Sequence, residues 1–383
     1  MTFTVGLLFE FPSLNGGEYS MLSVLEQLKG TLYFHALAPP SGPLADRLDQ
    51  LGIPRTGFSV RDPSDRKRPV AELTAELEQL RSTLQLDVLH ANSLSMARLS
   101  GTLGHTGCCT GHLRDIMRLN QSVIRDLNSN TRLVAVSEAV RTFHQQQGLD
   151  FSRCDLIYNG VDSSQFKPCN STVDRQRLFG NTVSEDDKLL LSVGQICLRK
   201  GQLITAQAVC NILQERNDVH LVIAGQRFSE KQESREYEQS LVKTFSDCGK
   251  CSHLHMLGYR SDIPELMAAS DLLVHAAHQE PFGRVLLEAA SSGLPIIATD
   301  VGGTAEMLRH GFDAELLPPG DSDALAETIN SVLGQHDRAQ AYAQSARTRI
   351  SDQFSVDAAS RHLADFWLRL LRQGEPEMGS SGT

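Results

Sequence analysis

The sequence lacks several features that would mark whole classes of protein. Basic residues do not dominate: 36 Lys and Arg face 46 Asp and Glu, for a net charge of −10. The broad positive field of a nucleic-acid-binding protein is therefore missing, and no nucleic-acid partner is expected. No apolar run reaches the roughly 20 residues that a spanning helix needs. The opening MTFTVGLLFEF carries no basic segment, and Glu10 interrupts its apolar run, so no signal peptide is expected and the reading is a cytoplasmic protein. The 8 cysteines are scattered apart from Cys108-Cys109 and Cys248-x-x-Cys251, which suits reduced thiols rather than a disulfide framework. One C-x-x-C without a second ligand pair reads as two thiols in a surface loop, not a zinc site. No G-x-x-x-x-G-K-[ST] is found, which disfavours a P-loop NTPase. No G-x-G-x-x-G follows either opening strand, which counts against a standard NAD site.

What is present is the pattern of an α/β protein. With 383 residues, 40% hydrophobic and 21% charged, the chain is long enough for two cores. Short Val/Ile/Leu-rich runs alternate with longer amphipathic stretches, the signature of parallel strands covered on both faces. The runs form two series. The first falls near 3–10, 32–38, 87–91, 107–111, 132–136 and 155–158; the second near 188–194, 219–225, 253–257, 271–276, 294–299 and 314–317. Met21, Val24, Leu25 and Leu28 show the helical spacing of a core-facing stripe.

The polar stretch 162–187, after the turn dipeptide Asn159-Gly160, marks a junction, so domains are expected at 1–165 and 166–354. The first carries net charge −2 and the remainder −8. An amphipathic run at about 355–372 holds the only tryptophan, Trp367. It is expected to pack back on the first domain, with a disordered polar tail at 373–383.

In open parallel sheets, ligands collect beyond the carboxyl ends of the strands, so the loops after strands are where chemistry is sought. Asn15-Gly16-Gly17 follows the first strand and opens a helix. Glycine there lets backbone amides approach an anion, although a plain tight turn would look the same. The second series opens with Gly194-Gln195-Ile196-Cys197-Leu198-Arg199-Lys200-Gly201, whose two cations could neutralise a diphosphate. The segment 275–306 is the richest. Glu280 precedes Pro281-Phe282-Gly283, and Glu288 follows inside a helix expected to begin near Gly283. Two carboxylates so placed can accept hydrogen bonds from the vicinal diols of a ribose and a sugar. Gly302-Gly303 follows a further strand, with Glu306 behind it.

Together these motifs resemble the retaining glycosyltransferases of family 4. The likeness also includes Val136-Ser137-Glu138, Asn159-Gly160-Val161-Asp162, Ala224-Gly225 and Leu257-Gly258-Tyr259, and runs over roughly residues 3 to 370. The resemblance implies the GT-B architecture, two Rossmann-like doubly wound parallel-sheet domains facing a central cleft. It implies that Glu288 binds the ribose hydroxyls of a nucleoside-diphosphate sugar and Glu280 the hydroxyls of the transferred sugar. Phe282, Gly283 and Arg284 would line sugar and diphosphate, largely through backbone amides. Lys200 would stabilise the leaving diphosphate, with Gln195, Arg199 and Gly225 beside it and Tyr259 near the base. Gly16 and Gly17 would lie against the phosphates, and His112 in Thr110-Gly111-His112-Leu113 near the anomeric carbon. Arg114 and Asp115 are further cleft candidates, with exposed charges as the equal alternative. For His112 the competing reading is a hydrogen-bonded structural histidine, one of 13.

Two departures stand out. Gln195 occupies a position where family members commonly carry arginine, and the first loop reads Gly-Gly-Glu-Tyr rather than Gly-Gly-x-Glu, so Glu18 inherits no role. The implied reaction is retaining transfer to a hydroxyl acceptor, a glycan, lipid-linked or small molecule. It uses no cofactor and no metal, because fixed cations and dipoles stabilise the leaving group. Asp321-Ser322-Asp323 reads as a helix N-cap rather than a metal motif. Arg61, Arg66, Lys67 and Arg68, mixed with Asp62 and Asp65, admit peripheral association with the inner membrane face but fit a solvated loop better. The alternatives are a nucleotide-sugar epimerase on the same fold and a non-catalytic sugar-nucleotide-binding subunit.

Overall fold

The computed structural model describes residues 3–104, 107–169, 173–180 and 182–373; the tail beyond 373, expected to be disordered, lies outside them. The chain divides into two compact units, Met1–Gly160 joined by the segment from Val356, and Val161–Ser355.

The first unit is built on strands β1 (Thr4–Leu8), β2 (Tyr33–Ala38), β3 (Arg55–Gly57), β4 (Val88–Ala91), β5 (Cys108–Leu113), β6 (Arg132–Ala135) and β7 (Cys154–Leu156). All pair in parallel, in the order β3-β2-β1-β4-β5-β6-β7. The order reverses between β1 and β4, the crevice at which doubly wound sheets hold ligands. Apolar side chains on both faces explain the nearly continuous hydrophobic runs. Val5, Leu7, Val88 and Val134 look towards the helices Gly16–Gln27 and Val356–Gln373, whose Met21, Leu25, Phe366 and Trp367 complete that core. On the opposite face the helix Leu94–Gly101 sits so close that a Cβ on Gly111 would stand 2.3 Å from Cβ of Ala97.

The second unit repeats the plan with β8 (Lys188–Val193), β9 (Val219–Ala224), β10 (Leu254–Gly258), β11 (Leu272–His275), β12 (Ile296–Thr299) and β13 (Glu315–Leu317). Its order is β10-β9-β8-β11-β12-β13, again all parallel, with the reversal between β8 and β11. Leu190, Leu221, Val274 and Ile297 form its core with Val209, Phe245 and Ile329 from the covering helices. Val161 and Ser355, at the two ends of this unit, pair with each other in a parallel bridge. Both sheets are therefore the doubly wound parallel kind that the alternation predicts. Among the described residues no helix is long and apolar enough to cross a membrane.

Candidate active site

The second sheet brings the loops after β8 and β11 together at its reversal point. Gly201 makes this possible. It lies at φ +67°, where a side chain is strained, and a Cβ there would fall 1.8 Å from the carbonyl oxygen of Ala276. The two loops are thus in backbone contact, and the amide of His278 donates to the carbonyl of Arg199 at 2.8 Å. Nζ of Lys200 in consequence lies 2.6 Å from Oε2 of Glu280. His275, the last residue of β11, donates from Nε2 to the same oxygen at 2.8 Å. The amide of Gly303, in the loop after β12, donates to the main-chain carbonyl of Glu280 at 3.0 Å, so the loops after β8, β11 and β12 meet at this residue.

Glu280 is 4% exposed. Burial alone would raise its carboxyl, but the Lys200 ammonium and the His275 hydrogen bond outweigh it and hold the group well below the usual carboxylate range. Burial lowers His275, although Glu280 pulls it the other way, and the ring stays neutral. The cluster is therefore a buried carboxylate matched by one cation and one neutral donor, the arrangement that buried charge requires.

Gly283 caps the helix Arg284–Ser291 at φ +76°. Arg284 donates from Nε to Oε1 of Glu288 at 2.7 Å, one turn along, so it is engaged with that carboxylate. Phe282 has its ring buried in the core, 5.8 Å from that of Phe354, and offers a ligand its backbone rather than its side chain. Arg199 donates to the carbonyl of Gln279 at 3.3 Å. The Gln195 carbonyl accepts from Nε2 of Gln202 at 2.9 Å, tying the loop to the helix that follows. Gly225 has a steric role: a Cβ would lie 1.8 Å from the Gly194 carbonyl oxygen. Tyr259, 51% exposed, follows β10 at the sheet edge, two strands from β8. Asp321 caps the helix Ser322–Gly334, its Oδ1 accepting from the amides of Asp323 and Ala324 at 3.0 Å.

In the first unit the loops after β1, β4, β5 and β7 are bound into one network. Arg114 donates from Nη1 to Asn159 Oδ1 and from Nη2 to Asn92 Oδ1, both at 2.9 Å. Asn92 in turn donates to the carbonyl of Gly17 at 3.1 Å, and Ser20 to Asn159 Oδ1 at 2.7 Å. Arg114 is therefore an internal strut, whereas Asp115 is exposed. Glu18 closes a capping box, its Oε2 accepting from the Asn15 amide at 3.1 Å. His112 is 3% exposed near the end of β5, with Nδ1 2.9 Å from Nε2 of His90 on β4. Three of the four cations in the basic stretch are paired locally: Arg66 bonds Asp62, Arg68 bonds Glu76 and Arg61 pairs with Asp65. Cys248 and Cys251 are free thiols.

Sequence reasoning missed His275, His90 and Asn92. The signal for the histidines was a polar ring at the end of an otherwise apolar buried strand, in DLLVHA and DVLHA.

Comparison with known proteins gives two matches to family models: Glycosyltransferase Family 4 over residues 14–165, and Glycosyl transferases group 1 over residues 174–349. The chain is 27% identical to the lipopolysaccharide glucosyltransferase WaaG of Escherichia coli over 68% of its own length and 69% of that protein. It is 24% identical over 93% of its length, and 96% of the relative's, to a GDP-mannose-dependent phosphatidylinositol monomannoside mannosyltransferase of Mycobacterium tuberculosis. The crystal structure of Anabaena HepE in complex with UDP-glucose superposes with a TM-score of 0.83 at 25% identity, covering 96% of this chain and 99% of that one.

Proposed function

The chain belongs to the group 1, family 4 glycosyltransferases, and we propose that it moves a sugar, with retention at the anomeric carbon, from a nucleoside-diphosphate sugar to a hydroxyl of a glycan or lipid-linked acceptor. The observation that carries this is the Lys200–Glu280–His275 cluster at the reversal point of the second sheet. Breaking a sugar–phosphate bond builds positive charge on the sugar and negative charge on the diphosphate. A fixed ammonium, the neighbouring Arg199 and backbone amides lower that barrier without reorganising. The anomeric C–O bond to phosphate breaks, the acceptor oxygen bonds the same face, and the departing phosphate takes the acceptor proton. Glu280, held ionised, accepts hydrogen bonds from sugar hydroxyls; Glu288 accepts them from the ribose; His112 donates to the sugar. Transfer then needs no added divalent metal, since Lys200 and Arg199 carry the countercharge. A nucleotide-sugar donor agrees with UDP-glucose in the Anabaena structure and GDP-mannose in the mycobacterial relative's name. A lipid-linked acceptor agrees with the lipopolysaccharide and the phosphatidylinositol monomannoside in the two relatives' names, and would be reached from the inner face of a membrane.

The test is calorimetric titration in EDTA with UDP, GDP, ADP and NAD, on the protein and on Glu288→Ala, followed by turnover with the sugar nucleotide of the base that binds. One nucleoside diphosphate bound at least tenfold more weakly by the variant supports the donor site. NAD bound alone overturns it. Donor consumed without acceptor would indicate an epimerase, and donor bound but never turned over a non-catalytic subunit.

A further inference from the structure

His90, Thr110 and His112 share one face of adjacent strands. His90 and Thr110 are register partners across the β4–β5 pair, and His112 is two residues beyond Thr110. The C-terminal helix covers this face, and from it Nε1 of Trp367 lies 3.2 Å from Nδ1 of His90. Thr110 Oγ1 is 2.7 Å from the same nitrogen. Both rings and the indole are at most 3% exposed.

An indole nitrogen can only donate, so Nδ1 of His90 must be the acceptor. A threonine hydroxyl rotates to suit and is compatible with that. A neutral imidazole with an accepting Nδ1 carries its proton on Nε2, and His90 Nε2 therefore donates to His112 Nδ1 across their 2.9 Å contact. His112 in turn has an accepting Nδ1 and a proton on Nε2. Burial, with Arg114 nearby, keeps both rings neutral: His90 is pushed down to about 3 and His112 well below its ordinary value. Among the described residues Nε2 of His112 has no hydrogen-bond partner.

We propose that Trp367 and His90 are positioning residues which lock His112 as the Nε2–H tautomer, so that it meets the sugar nucleotide as a fixed hydrogen-bond donor to a ligand oxygen and never as a base. This rests on the reading that His112 contacts the donor. It adds that the polarity of that contact is set by a side chain 277 residues away in sequence from His90.

The test starts on the unliganded wild-type protein with ¹⁵N-labelled histidine, reading two-bond ¹H–¹⁵N correlations, with His90→Gln and His112→Gln for assignment. Both rings are expected as the neutral Nε2–H form throughout pH 6–8. A proton on Nδ1 of His112, or a charged ring in that range, overturns the relay whatever the activity. Trp367→Phe keeps most of the packing and removes only the donor. It is expected to give mixed tautomers at both rings, because His90 can then donate to Thr110. Its kcat is expected to fall about tenfold with donor KM within twofold. His112→Gln, which retains a donor at the Nε2 position, should keep at least tenfold more activity than His112→Asn. Tautomers that stay locked in Trp367→Phe overturn the role given to the indole. Tautomers that mix while His112→Asn transfers at the wild-type rate leave the relay standing and overturn the reading that His112 touches the donor.

Discussion

Lys200 and Glu280, 80 residues apart in sequence, are bonded to each other at 2.6 Å in the unliganded protein. The cation assigned to the leaving diphosphate and the carboxylate assigned to the sugar are thus one electrostatic unit. On the proposed function, a diphosphate would share an ammonium that is already engaged. The pair holds the two side chains oriented before any ligand arrives, so little reorganisation is left for the reaction step.

Lys200→Ala should lower kcat by about 10²- to 10³-fold, the usual loss for one electrostatic stabiliser. It should also destabilise the fold by about 3 kcal/mol, because Glu280 is left buried without its cation. Combining Lys200→Met with Glu280→Gln should recover most of the stability and none of the activity. Turnover rates and urea midpoints for the three proteins check both statements.

Stability should fall on mild acidification. His90 and His112 are both held below the ordinary histidine value of 6.5 by burial, so the unfolded chain binds more protons than the folded one below that pH. Stability is then complete above 6.5 and is lost as pH drops, by about 1.4 kcal/mol per unit per histidine at the limit. Glu280 works in the same direction in a lower window, below the ordinary carboxyl value of 4.5. Denaturant unfolding at pH 7.5, 6.0 and 5.0 measures the slope, and His90→Gln should flatten it.

Gly201 and Gly249 have nearly the same backbone angle, φ +67° and +70°, but different surroundings: a Cβ at Gly201 meets the Ala276 carbonyl, whereas one at Gly249 meets nothing within 4 Å. Gly249→Ala should cost about 1 kcal/mol, the strain of a left-handed residue. Gly201→Ala should cost about 3 kcal/mol or more and separate Lys200 from Glu280. Thermal unfolding compares the two directly, and the Gly201 variant should lose activity before it loses its fold.

Arg114→Ala should loosen the first loop. It removes the donors that Asn92 and Asn159 accept, and with them the tie to Gly17. Amide exchange over residues 15–20 should speed up about tenfold, a local effect of about 1.4 kcal/mol, while exchange in β8 and β9 stays unchanged.

Most of the architecture was legible because strands buried on both faces must be apolar along their length. Arg55–Gly57 escaped because it is a three-residue strand at the sheet edge with no apolar residue in it. The unit boundary falls after Gly160 rather than at 165, since Val161 already bridges to Ser355 and Phe166 is buried, with Oγ of Ser291 in the second unit donating to its carbonyl. For the site, the loops were legible and their pairings were not. That Lys200 bonds Glu280 depends on β8 and β11 being neighbours, a fact of strand order that spacing does not contain. Trp367 was conspicuous as the only tryptophan, yet nothing local says that its N–H ends on His90.

The C-terminal helix carries Ala359, Leu363, Phe366, Trp367 and Leu370 into the core of the first unit, after the chain has run through the whole of the second. On the ribosome, therefore, the half that is made first is finished last. Until residues 356–373 have emerged, the nascent first unit exposes the apolar face of its sheet and lacks the indole that orders its histidines. The second unit, contiguous in sequence, can mature while the tunnel still holds the segment its elder neighbour is waiting for.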